Sequence, residues 1–197
     1  MIATREFDRP ALGISFDLSK TNTGVCIWLG QTPVAVLSTS FQPSKGLGLL
    51  MYNFTDFLQK DLNSAVKTVI SKKDYPEEFH YLTHADWFAY EDVRPINKIH
   101  MEQHFGMAGY LHLVAWENLM PLYRVVAKSA KKILSGHGAC SKETQLASAR
   151  EQYPHLKVRN HDEADAIAVG LYAVTNFINW EESEQRALPG NFESESD

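Results

Sequence analysis

Residues 13–24 read GISFDLSKTNTG. Leu12, Ile14 and Phe16 recur at every second position, the period of a strand with one buried face. The run ends on a lone carboxylate, Asp17, and then dissolves into a small polar turn. An acid in that place has two readings. It forms an Asx turn, or it faces a metal ion or a phosphate. The rest of the chain has to decide between them.

Working outward, VCIWLG and VAVLSTSF (34–41) follow at close spacing, so the first three strands read as an antiparallel meander. Residues 46–70 read as one long amphipathic helix, with Leu50, Phe54, Phe57, Leu58, Leu62, Ala65, Val66 and Val69 three or four apart. SKKDYPEEFH is a charged loop, WFAYEDV (87–93) a short strand, and RPINK a proline break. A helix covers 98–119 and a strand, LYRVVAK, covers 122–128. A glycine loop then enters a helix capped by Ser141, and the last helix starts near His161. The order βββ-α-β-α-β-α-α predicts an α/β domain with a mixed five-stranded sheet and helices on both faces.

The 197 residues, 44% of them hydrophobic, suffice for one well-buried core. The domain is expected over 1–180, with an acidic, disordered tail over 181–197. No apolar run approaches a membrane span and no signal-peptide core precedes the first strand. Cys26 and Cys140 form no CxxC pair, as expected of reduced thiols in a cytoplasmic protein. The net charge of −5 argues against a polyanionic partner at first sight. The tail alone carries all of it, and from Arg124 to Arg159 Lys and Arg outnumber acids. A neutral body with a basic stripe can hold a polyanion.

Asp17 ends one strand and Glu91 ends another, with Asp92 beside it as a rival. Asp162 and Asp165 stand three apart at the start of the last helix, on one face. Asp162 also reads as an ordinary acid at a helix N-terminus. The rest of that helix is apolar, and two acids on a buried helix need a compensating cation. Neither Lys nor Arg occurs between His161 and Trp180. A divalent ion would resolve the repulsion, and oxygen-only ligands favour Mg²⁺ or Mn²⁺.

Four segments, in order, resemble the motifs of the RuvC-type Holliday junction resolvases: GISFDLSKTNTG, YEDV, KKILSGHGACSKE and DEADAIAVGLY. The resemblance runs from about residue 11 to residue 175 and implies an RNase H-like fold. Leu18 and Ser19 stand where bacterial members carry Pro-Gly, and the longer region before Glu91 looks more like a phage-encoded member. The resemblance implies a crossover junction endodeoxyribonuclease that nicks four-way DNA junctions symmetrically, in the cytoplasm or a host's cytoplasm. By it, Asp17, Glu91, Asp162 and Asp165 hold two Mg²⁺ ions, with Mn²⁺ as substitute, and leave 5′-phosphate and 3′-hydroxyl ends. Lys131 and Lys142 match positions that meet the DNA backbone, with Lys128 and Lys132 as weaker candidates. His161 adjoins Asp162 as a possible proton carrier or a plain cap residue.

The helix 98–119 is apolar nearly all round, so a two-fold homodimer through it is expected, with GMAG (106–109) allowing close helix packing. HMEQH (100–104) lacks the adjacent Glu of a zinc-protease motif and reads as a surface or DNA-facing pair. Three rival functions stand beside the resolvase. One is a nuclease for forks, flaps or RNA–DNA hybrids. Another is an actin-like ATPase, which needs two such domains. The last is a non-catalytic branched-DNA-binding module.

Overall fold

Alternation along β1 (Leu12–Asp17) sends Leu12, Ile14 and Phe16 to one face of a sheet and Gly13, Ser15 and Asp17 to the other. The computed structural model describes residues 10–19, 21–41, 46–71, 84–92 and 98–178. β1 pairs antiparallel with β2 (Asn22–Leu29), which pairs antiparallel with β3 (Thr32–Ser40). β4 (Trp87–Asp92) and β5 (Leu122–Val126) add in parallel on the other side, giving the order β3-β2-β1-β4-β5. The expected meander and mixed five-stranded sheet are both present. The charged stretch 72–80, the proline break at 94–97 and the tail 181–197 lie outside the described residues. No described helix is long and apolar enough to cross a membrane.

One face of the sheet carries Leu12, Ile14, Phe16, Ile27, Phe88 and Tyr90. Three helical segments and α3 (Lys98–Glu117) cover it: α1 (Leu47–Phe57), a π-helical turn (Leu58–Leu62) and α2 (Asn63–Ile70). The expected single helix 46–70 is therefore interrupted. Its buried positions 50, 54, 58, 62, 66 and 70 are spaced by four. An α-helix turns about 100° per residue, so that spacing drifts about 40° per step. The wider π turn rotates the stripe back toward the sheet.

The opposite face carries Cys26, Trp28, Trp87, Ala89 and Val125. It is covered by α4 (Ala127–Ser135), α5 (Lys142–Gln152) and α6 (His161–Asn176). α4 corrects the expected strand 122–128. β5 stops at Val126 and the chain turns helical at once, with no side-chain cap to mark the change. Gly136 closes α4 in the left-handed region, φ 77°.

α6 lies close on the sheet. Ser15 Oγ donates to the Ala166 carbonyl at 2.7 Å, and Trp28 Nε1 donates to Ser15 Oγ at 2.9 Å. A methyl at Gly170 would reach within 2.2 Å of Trp28 Nε1, and one at Gly24 within 2.0 Å of the Asp162 carbonyl oxygen. These bare backbones let α6 rest against β1 and β2, and they fix the height of its N-terminus above the sheet.

Candidate active site

Asp17 and Glu91 meet because of register. β1 and β4 are parallel with Phe16 opposite Tyr90, so the next residues along, Asp17 and Glu91, leave the sheet side by side. Both fall on the α6 face, with Ser15 and Ala89 one period before. Asp92 points the other way and is ion-paired to Arg124 at 2.7 Å, which removes it as a rival to Glu91.

α6 brings the other two acids. Its N-cap is Asn160, whose Oδ1 accepts from the Glu163 N–H at 3.0 Å. Asp165 is 8% exposed, as is Asp17. Asp162 is half-buried and accepts a hydrogen bond from Asn22 Nδ2. Ser40 Oγ in turn donates to Asn22 Oδ1 at 3.1 Å, so the two strands of the meander hold this carboxylate.

The acids act on one another. Burial first, then the charges of Glu91, Asp165 and Asp162, hold the Asp17 carboxyl well above its usual range. Burial and Asp165 push Glu91 up to about 7, against the opposing pull of Lys131 and Lys142. Burial also raises Asp165, with Lys131, Lys142 and the Gln145 amide opposing it. The structure thus brings together all four acids named from the sequence, with two of the four lysines facing them. Lys128 and Lys132 stand exposed on α4. The compensating cations absent from the last helix reach in from α4 and α5.

Among the described residues, no three His, Cys, Asp or Glu side chains are drawn together closely enough to hold a metal ion as they stand. The donor chemistry nonetheless fits one. Acids that raise each other's pKa in a buried place are short of positive charge, and Lys131 and Lys142 relieve them only in part. Oxygen donors alone select a hard divalent cation.

Other residues have structural employment. His161 Nδ1 must donate to the Lys142 carbonyl oxygen (3.1 Å), which ties the start of α6 to the start of α5 and leaves Nε2 as the free nitrogen. Ser141 caps α5, accepting from the Thr144 N–H at 3.2 Å. A methyl at Gly138 would come within 2.8 Å of the Lys128 carbonyl, so that glycine seats the loop on α4.

His104 corrects the expectation of a surface histidine. It is 6% exposed and donates to the Leu18 carbonyl, while burial pulls its pKa down. Gly106 is also taken within the chain, since a methyl there would press on Met51 of α1.

Sequence reasoning missed Glu163 and Gln145. Glu163, fully buried between the two aspartates, accepts from Arg159 Nε at 2.9 Å, from the Arg159 N–H at 2.7 Å and from Ser38 Oγ at 3.0 Å. The signal was Asn-x-x-Glu at 160–163, a capping-box spacing, with Arg159 four residues before the Glu. Gln145 gave only a weak sign, standing four residues from the buried Ala149.

No protein-family model matches the chain, and no curated protein matches it by sequence. Solved structures do. One is T. thermophilus RuvC in complex with a Holliday junction substrate, with TM-score 0.59 and 16% identity, covering 82% of this chain and 92% of that one. Another is a Thermus thermophilus RuvC structure, with TM-score 0.55 and 18% identity, covering 82% and 92%. With the mixed five-stranded sheet and its two helical layers, this chain has the RNase H-like fold in the form that RuvC takes.

Proposed function

We propose that the chain is a metal-dependent endonuclease that resolves four-way DNA junctions by paired nicks. The observation that carries this reading is the meeting of Asp17, Glu91, Asp162 and Asp165 at one end of the sheet, faced by Lys131 and Lys142. A plain structural cluster of acids would be neutralised by its own chain, as Glu163 is by Arg159. This one is not.

Asp17, Glu91, Asp162 and Asp165 would hold the divalent cations, Mg²⁺ with Mn²⁺ as substitute. Such ions supply Lewis-acid activation of water and charge stabilisation at a scissile phosphate. The chain's own part is positioning. Asp17 and Glu91 are fixed by strand register and Asp162 by Asn22. Lys131 and Lys142 attract the phosphodiester backbone by salt-sensitive, sequence-independent contact. The reading implies 5′-phosphate and 3′-hydroxyl products.

Symmetric nicking calls for two sites, hence a homodimer. Its support is the outer face of α3, where Met101, Phe105, Leu113 and Trp116 are exposed in a row and Gly109 has open space around it. Cys26 and Cys140 are free thiols, in keeping with a reducing cytoplasm.

The test is cleavage of a mobile four-way junction, a fork, a duplex and an RNA–DNA hybrid with Mg²⁺, Mn²⁺ or Ca²⁺, with nick sites mapped. Paired nicks in the junction with Mg²⁺ or Mn²⁺ are expected. Equal cutting of all four substrates would replace the resolvase with a general nuclease. Junction binding without cleavage would leave a binding module.

A further inference from the structure

Asp162 and Glu163 are neighbours on the first turn of α6, and the chain gives them different partners. Glu163 is fully buried and takes a guanidinium, with Arg159 Nε donating to it at 2.9 Å and Nη2 completing an ion pair. Asp162 is half-buried, and among the described residues no Lys or Arg is ion-paired with it. Its partner is a neutral amide: Asn22 Nδ2 donates to Asp162 Oδ2.

The sheet sets the direction of that amide. Asn22 opens β2 and stands opposite Ser40, the last residue of β3. Ser40 Oγ donates to Asn22 Oδ1 at 3.1 Å, so Nδ2 is the end turned to α6. The flipped amide would set Oδ1 against the carboxylate, acceptor against acceptor. The backbone of α6 is seated separately, by the bare Gly24 against the Asp162 carbonyl. What Asn22 adds is the direction of the carboxylate. A guanidinium at 22 would neutralise Asp162 as Arg159 neutralises Glu163, whereas an amide fixes one oxygen and leaves the negative charge.

We propose that Asn22 is a positioning residue: its N–H holds Oδ2 of Asp162, leaving Oδ1 and the full charge to a divalent cation. The proposal rests on the reading of the carboxylate cluster as a metal site. A hydrogen-bond partner behind a metal ligand is worth about 10- to 100-fold in metal affinity or activity.

The test compares wild-type protein with Asn22→Leu, which has a similar volume and no donor. Four quantities are read: melting temperature in EDTA, junction affinity in EDTA, Mn²⁺ affinity by calorimetry, and single-turnover junction cleavage across a Mn²⁺ titration. The expected result is Mn²⁺ affinity down about tenfold or more, with junction affinity unchanged and a cooperative melt close to wild type. Cleavage should need more Mn²⁺ by the same factor and recover at saturating Mn²⁺. Equal Mn²⁺ affinity in both proteins would overturn the role given to Asn22 and leave the metal site standing. A loss of melting temperature and junction affinity in EDTA, with Mn²⁺ affinity unmoved, would make Asn22 a structural clamp and overturn the proposal. Wild-type protein that binds no Mn²⁺ would overturn the metal reading itself, and the proposal with it. If Asn22→Leu does not fold, Asn22→Ser, too short to span to Asp162, is expected to show the same loss of affinity, and unchanged affinity there would overturn the proposal.

Discussion

Glu91 titrates at about 7 in the folded chain, against about 4.5 for an ordinary glutamate. Between those values the folded state binds more protons than the unfolded state. Through Glu91, stability of the metal-free protein therefore falls as pH rises from about 4.5 to about 7. Asp17 and Asp165, both raised, push the same way. Thermal melts in EDTA are expected to show this decline. Mg²⁺ should flatten it, and Glu91→Gln should remove a large part. A melting temperature that climbs across that window would contradict the assigned repulsion.

The same logic gives the acids opposite effects on stability and on activity. Asp17→Asn or Asp165→Asn is expected to raise the melting temperature in EDTA, by roughly 2–4 °C for each kcal/mol of repulsion relieved. Each should lower Mg²⁺-dependent cleavage by roughly three orders of magnitude and keep junction binding. Either mutant cutting at the wild-type rate would show that the acid is no ligand. These carboxylates were legible because each breaks an apolar pattern. Gln145 and Glu163 were not, because a buried polar residue announces itself only when the partner element is known.

At the scale of elements, the strands and the long helices were read well because their periods are strong. α4 was not. Val125 and Val126 look like strand, and the apolar signal of the helix rests on only Ala130 and Leu134, four apart. Missing it hid why Lys131 matters: a helix starting directly at β5 carries that lysine back over the end of the sheet to Glu91 and Asp165. Lys131→Ala and Lys142→Ala should weaken cleavage or junction binding, most at low salt, and flatten its salt dependence; indifference in both would dismiss the basic stripe. The contact between β2 and α6 is equally exacting. Gly24→Ala sets a methyl against the Asp162 carbonyl, backbone against backbone, and should cost ~3 kcal/mol. A melt and a cleavage assay on that mutant should fail together, since lifting the start of α6 moves Asp162 and Asp165.

For the whole molecule, the exposed row on α3 sets the expectation of two subunits. Trp116 is 73% exposed and Phe105 53%. Trp116→Asp or Phe105→Asp should turn a dimer into monomers by light scattering, with little change in melting temperature of the monomer fold. A wild-type protein that is monomeric at high micromolar concentration would remove the dimer. The same helix has an inner side. From it His104 holds the Leu18 carbonyl, next to Asp17, in the turn where Leu18 and Ser19 replace the more usual Pro-Gly. α3 is thus a lever with one arm in solvent and the other pinned beside the acid that opens the cluster. A slide or tilt of α3 would therefore be felt first at the Leu18–Ser19 peptide group, one residue beyond Asp17.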